Sequence, residues 1–363
     1  MPFSFKLPPV LRQPLVAASA LVLLTLYTAV ALAGWLAPYS PQAHWPNHTL
    51  APPTPVYWHT PTGKLTWPYV LAQQKRWHAP TLTYRYVPQL SQPLPLQFNT
   101  VGEPYRLFGI LPLRRHAFGL APRNGAAPSV GLHLLGTDSL GRDSFSRLLY
   151  GGQLTLTIGF LSLMITLPLG LTLGGLAGLL GGWVDTLLMR LAEVMMSIPS
   201  LFLLVALAAL IPASLSSSAR FAAVVLILAF IGWAGLARVI RGMVMAIGQL
   251  DYVQAARAIG VSRLALLWRH ILPQTASYVL VAVTLGVPGY LLAESGLSFL
   301  GLGIQQPDAS WGNLLKEAQD MSNLLERPWM MTPGYLIFAA VLAFNVLGDA
   351  LRDWLDPKRG ISG

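Results

Sequence analysis

The stretch QLTLTIGFLSLMITLPLGLTLGGLAGLL, residues Gln153–Leu180, contains no charged side chain and is apolar almost throughout. A helix that crosses about 30 Å of hydrocarbon needs roughly 17–25 mostly apolar residues, so this run predicts a membrane span. Working outward, the uncharged run extends over 148–184, and others fall at 13–63, 194–219, 221–237, 271–293 and 328–348. Each can hold one helix, giving about six spans. The shortest, Phe221–Ala237, relies on its flanking arginines as snorkelling ends. The runs are continuous rather than alternating, which excludes a closed β-barrel.

Composition agrees. Of 363 residues, 54% are hydrophobic and only 10% charged, with a mean hydropathy of +0.54. A soluble domain carries about a quarter charged residues, so most of this surface faces lipid or protein. There is no cysteine, hence no disulfide or thiolate metal site. The net charge of +10 is spread without tight basic runs, which argues against nucleic acid as a partner.

The predicted spans lie at 14–36, 153–180, 194–211, 220–238, 275–296 and 332–351. The first, Pro14–Leu36, is too long for a secretory signal core of about 7–15 residues and reads as an uncleaved helix, although Ala29-Val30-Ala31 offers small residues for cleavage. Residues 37–152 form a long polar insert rich in Pro, Trp, Tyr and His, without helical period, read as an irregular, strand-containing loop domain. In the second span Gly170, Gly174, Gly175 and Gly178 make a face that another helix can approach closely, within the subunit or from a neighbour. Trp183, Trp233, Trp311 and Trp329 read as interfacial anchors. Arg190 and Glu193 are spaced to pair. Glu294, among apolar residues near the end of the fifth span, can line a solute path or bond nearby backbone amides.

Orientation is set by Lys/Arg in short loops. With residues 1–13 inside, the inner segments carry Lys6, Arg12, Arg190, Arg238, Arg241, Arg257, Arg263, Arg269, Arg352, Lys358 and Arg359, against Arg220, Lys316 and Arg327 outside. Both termini, 1–13 and 352–363, are expected in the cytoplasm and 37–152 on the opposite side.

The loop DYVQAARAIGVSRLALLWRHILP, Asp251–Pro273, reads as helix, turn, helix. Tyr252–Ile259 is helix-compatible, Gly260 supplies a C-cap, Ser262 can N-cap the second helix, and Pro273 ends that second element. Ala255 and Ala256 leave room for a partner's groove, while Arg257, Arg263 and Arg269 keep the loop in water.

That loop resembles the EAA loop of binding-protein-dependent ABC importer permeases: Gln254-Ala255-Ala256, then Gly260, then Ile271-Leu272-Pro273, with Gln254 where the pattern has Glu. The runs LLGTDSLGRDSFSRLLYGG (Leu134–Gly152), DTLLMRLAEVMMSIPSL (Asp185–Leu201), LSFLGLGIQQPDASWGNLL (Leu297–Leu315) and GDALRDWLDPKRG (Gly348–Gly360) are similar, in the same order, to the C-type subunit of dipeptide, oligopeptide and nickel importers. The resemblance implies an all-α membrane domain of the type I ABC importer permease fold over 153–351. It also implies a bacterial inner-membrane location, a second permease subunit, an extracytoplasmic solute-binding protein, and cytosolic ATPase subunits that bind ATP and Mg. Gln254, Ala255, Ala256, Arg257, Gly260 and Pro273 would then couple this chain to the ATPase. On this basis Gln254→Glu is expected to transport normally and Gln254→Lys to weaken ATPase association. The chain has no phosphate loop, because Gly63-Lys64 has Trp58 where the first glycine belongs. No metal motif or embedded nucleophile is evident, so no enzyme activity or bound cofactor is expected. An ion-driven transporter would need embedded acidic residues beyond Glu294, and a membrane-anchored binding or sensor protein would leave the 251–273 loop unexplained.

Overall fold

The computed structural model of the chain describes residues 13–79, 83–120, 131–212 and 214–355. The terminal charges Lys6, Arg12, Lys358 and Arg359 lie outside these residues, as does most of both predicted cytoplasmic tails. Among the described residues five helical runs are long and apolar enough to cross a membrane: Pro14–Ala31, Ser144–Leu180, Ser217–Ile247, Arg263–Phe299 and Pro328–Leu355. A sixth candidate is a broken pair, described below. The chain divides into two compact units.

The helical unit contains Leu156–Leu297 with the described parts of Met1–Leu24 and Ile337–Gly363. Its elements come from α1 (Pro14–Ala31), α2 (Ser144–Leu180), α3 (Gly182–Ser197), α4 (Ser200–Ala209), α5 (Ser217–Ile247), α6 (Asp251–Ala258), α7 (Ala276–Phe299) and α10 (Thr332–Leu355). Helix α2 begins nine residues before the predicted span. Its 37 residues, at about 1.5 Å each, reach roughly 55 Å, well past the hydrocarbon thickness.

The expected straight span at 194–211 is instead α3 and α4, bent by 89°. Pro199 forces the break, because the residue before a proline is pushed out of helical geometry, and Ile198 is extended at φ −90°, ψ 126°. Arg220 does not snorkel either. It is buried and donates from Nη2 to the Pro212 carbonyl at 3.2 Å, inside a helix that starts at Ser217 and continues to Ile247. Arg190 does pair with Glu193, at 2.9 Å on the exposed face of α3.

Gly170, Gly174 and Gly178 settle onto α5. A Cβ on Gly174 would collide with the Ala237 carbonyl, and one on Gly178 would lie 2.7 Å from the Arg241 carbonyl. This glycine face therefore packs within the subunit. Overpacking a tight contact costs about 1–3 kcal/mol, and here the obstacle is backbone. Gly174→Val is expected to lower the thermal unfolding midpoint of the purified chain, whereas Gly235→Ala, in mid-helix with nothing within 4 Å of its Cβ, should hold or slightly raise it.

The second unit, Thr25–Thr155 with Ser298–Leu336, carries the insert as a sheet, so the all-α description holds only for the helical unit. Strands β1 (Val56–His59), β2 (Leu65–His78), β3 (Thr83–Leu107) and β4 (Leu111–Leu120) form an antiparallel meander in that order. The first half of β3 pairs with β2 and the second half with β4. A shift of register opposite Leu71/Ala72 absorbs residues 90–92. Val70, Leu94, Leu96, Leu120 and Leu132 fill the small core at its base. The same unit holds the short helices α8 (Trp311–Lys316) and α9 (Met321–Glu326). Trp311 is fully buried, its Nε1 donating to the Leu148 carbonyl at 2.9 Å, and Trp233 is buried beneath α3 against Ala192. These two tryptophans are core residues rather than interfacial anchors.

Candidate functional site

Between α5 and α7 the chain leaves the apolar run and folds into a compact knob. Helix α6 buries Val253 and Ala256 against Ile240 and Val244 of α5 and against Leu266, Leu267, Ile271 and Leu272 of the return segment. Its C-terminus closes through a Schellman motif: Val261 N donates to Ala256 O at 3.2 Å and Gly260 N to Arg257 O at 3.1 Å. Gly260 sits at φ +88°, in the left-handed region. Ser262 then caps the next turn, its Oγ accepting from Ala265 N at 3.4 Å.

Pro273 does not end the return element as expected. The backbone passes through a π turn at Leu266–Ile271 and a 3-10 turn at Leu272–Thr275 and continues into α7. Proline cannot donate to a preceding carbonyl, and the change of winding accommodates this without a break. The knob is thus joined directly to a membrane helix.

The predicted residues separate by role. Ala256 is buried inside the knob, so only Ala255 of the alanine pair is open. Ala255, Ala258 and Arg257 are exposed, and Ile259 is 83% exposed, with Tyr252, Leu264 and Trp268 also open. Gln254 turns back into its own chain: Nε2 donates to the Gly248 carbonyl at 2.7 Å, where α5 ends. A carboxylate there cannot donate. Contrary to the expectation from the motif alone, Gln254→Glu should loosen the knob by about 0.5–1.5 kcal/mol, the net worth of one hydrogen bond. The thermal unfolding midpoint of the purified chain should fall, and an unchanged midpoint would show that this bond does not hold the knob.

Further along α5, Arg241 grips Asp185 of α3 through two hydrogen bonds, linking the knob's supporting helix to the bent pair. A groove of about 440 Å³ lies between α4, α5 and α7, lined by Leu201, Leu204, Ile231, Gly232, Gly289 and Tyr290 among others. Tyr290 donates to Thr166 Oγ1 at 2.8 Å. Glu294, one turn on, is completely buried with Ser295 Oγ 3.4 Å away, and does not line that groove.

A polar knot in the second unit went unread in the sequence. Asp138 accepts Arg142 Nε at 2.6 Å and lies 3.3 Å from Arg147 Nε. Both arginines reach Gln306 Oε1, Arg147 also donates to the Pro41 carbonyl at 3.0 Å, and Glu317 lies 3.8 Å from Arg142 and accepts Ser139 N at 3.2 Å. Burial, with Asp138 beside it, pushes the Glu317 carboxyl above the usual range. Asp143 binds His133 Nδ1 at 3.0 Å and Ser146 at 2.7 Å. The knot ties the start of α2 to the 306–317 segment. Among the described residues no group of three or more metal-binding side chains converges.

Residues 170–361 match the family described as binding-protein-dependent transport system inner membrane component, and the chain belongs to that family. It is 39% identical to the dipeptide transport system permease protein DppC of Bacillus subtilis over 62% of this chain and 69% of that one. The glutathione transport system permease protein GsiD of Pectobacterium atrosepticum is 39% identical over 62% and 73%. The oligopeptide transport system permease protein OppC of Haemophilus influenzae is 37% identical over 64% and 73%. The protein is accordingly a multi-pass membrane permease subunit of an ABC transporter.

Proposed function

We propose that this chain is the C-type permease of an importer for peptides or peptide-like solutes, powered by separate ATPase subunits that hold ATP and Mg. The observation that carries the coupling role is the knob itself. A short helix with Ala255, Ala258 and Ile259 outward stands on a packed core and runs without a break into α7. Small and apolar side chains on a rigid base suit insertion into a partner's cleft. A push on α6 is carried to α5 through Val253 and Ala256, and to α7 through the return segment. Peptide transport is supported by the names of the relatives, which act on dipeptides, oligopeptides and glutathione. A second permease subunit completes the path, a solute-binding protein delivers the solute on the side of the 37–152 domain, and both termini face the ATPases.

The chain has no cysteine, so Ser262→Cys places a unique thiol beside the knob. A membrane-impermeant maleimide is expected to label it only from the cytoplasmic side, and assembly with the ATPase subunits should slow labelling at least several-fold. Labelling from the other side would reverse the proposed orientation. Equal rates with and without ATPase would remove the docking role.

A further inference from the structure

The β3–β4 hairpin ends in an unusual turn. Ile110 N donates to Leu107 O at 3.1 Å, and the two central residues, Phe108 and Gly109, stand at φ 54° and 74°. Positive φ at both central positions is the type I′ turn, which in water favours Asn-Gly or Asp-Gly. Here the first place is taken by phenylalanine, a bulky residue disfavoured in that conformation. Its neighbours are apolar too: Phe108 is 62% exposed and Ile110 78%, with Leu111 and Leu113 also exposed. Just behind this tip stand three exposed arginines, Arg106, Arg114 and Arg115.

Contacts with both neighbouring helices fix where the tip points. On the α1 side, His116 Nδ1 donates to the Ala37 carbonyl at 2.6 Å, while Tyr105, three residues nearer the turn, lies where a Cβ on Gly34 would be. Moving toward the turn therefore moves back along the chain toward α1. On the α2 side, Phe118 packs on Phe145 with ring centroids 6.1 Å apart, whereas Tyr105 and Arg106 share a cleft with Tyr150, Gln153 and Leu154. Moving toward the turn moves along α2 into its apolar run. Charges on α2 end at Arg147, and the first apolar run ends at Leu36. Tyr105 thus stands at the level where both helices enter the membrane. Phe108 is three residues further, about 10 Å at the rise of a strand, comparable with the roughly 5–10 Å by which interfacial segments are buried.

We propose that the hairpin tip, Phe108–Leu111, enters the lipid leaflet adjoining the loop domain, with Arg106, Arg114 and Arg115 held at its phosphates. The occupant is lipid because the strands leading to the tip lie against the membrane-entering ends of two helices, and its arginines lie behind the apolar tip as phosphates lie outside hydrocarbon. Insertion supplies the apolar surroundings that the Phe-Gly turn lacks in water. It makes the sheet a third attachment of the insert to the bilayer, besides α1 and α2.

The test uses the full chain in its assembled complex, reconstituted in phosphatidylcholine–phosphatidylglycerol vesicles, with a nitroxide on Ile110→Cys and a control on Lys64→Cys in the β1–β2 turn. At Ile110 collisions with oxygen should exceed those with a water-soluble nickel chelate, and at Lys64 the order should reverse. A label at Ile110 as open to nickel as that at Lys64 would place the tip in water. Shielding from both reagents would mean that protein, a partner subunit or the binding protein, covers it. Either outcome overturns the proposal. Replacing Arg106, Arg114 and Arg115 by Gln together should move the Ile110 label toward water, and an unchanged depth overturns the phosphate contact.

Discussion

Gly260→Val is expected to abolish solute uptake while leaving membrane insertion, abundance and binding of the loaded solute-binding protein intact. Gly260 stands at φ +88° with nothing within 4 Å of where its Cβ would be, so a new side chain meets no atom and the whole cost is in the backbone. A β-branched residue in a poorly populated region costs on the order of 1–3 kcal/mol, enough to open the Schellman bonds at Gly260 and Val261. The apolar core under α6 does not include this residue, so the knob should stay attached but aim differently. Gly260→Asn separates conformation from mere presence of a side chain, because Asn tolerates the left-handed region. It should retain much of the uptake that Gly260→Val loses. The readouts are uptake and solute-stimulated ATP hydrolysis in proteoliposomes. Full uptake by Gly260→Val would remove the turn from the coupling mechanism.

The legibility of these features in the sequence depends on the reach of each interaction. The Gly260 cap and the Ser262 cap use neighbours within five residues, and the structure has both. The glycine face of α2 was visible as spacing, but its partner α5 was not, since a one-dimensional pattern does not say who approaches. The bend at Pro199 carried a local signal in MMSIPSL, which the apolar content of 194–211 obscured. The burial of Arg220 depended on a helix starting three residues earlier than its charge suggested. The Gln254 bond to the Gly248 carbonyl was not legible, because a position in the motif says nothing of the carbonyl beneath it. The hairpins in 37–152 were hidden by prolines such as Pro88, Pro93 and Pro95, tolerated in β3 across a shifted register. The polar knot was least legible, because Asp138, Arg142 and Arg147 meet Gln306 and Glu317 more than 150 residues later. Its only local sign was a cluster of charges, ending at Arg147, before a long uncharged run.

That knot should carry the largest stability effect of any single substitution outside the knob. Asp138 and Arg142 are 4% and 7% exposed in their side chains, whereas Arg190 and Glu193, also within hydrogen-bond distance, are 77% and 50% exposed. Asp138→Ala leaves Arg142 and Arg147 buried without their shared carboxylate and strips acceptors from the Leu140 and Arg142 amides, which bond Asp138 Oδ1 at 2.9 and 2.8 Å. Removing one partner of a buried ion pair costs about 3–5 kcal/mol, while an exposed pair is worth about 0–1 kcal/mol. Asp138→Ala is therefore expected to reduce membrane abundance sharply and lower the unfolding midpoint in detergent, and Arg190→Ala to change neither. Asp138→Ala combined with Arg142→Met should cost less than the sum of the single changes, because the second removes a charge that the first left stranded. Strict additivity, or an Asp138→Ala cost no greater than that of Arg190→Ala, would show that the entrance of α2 is held by packing around Trp311 rather than by this knot.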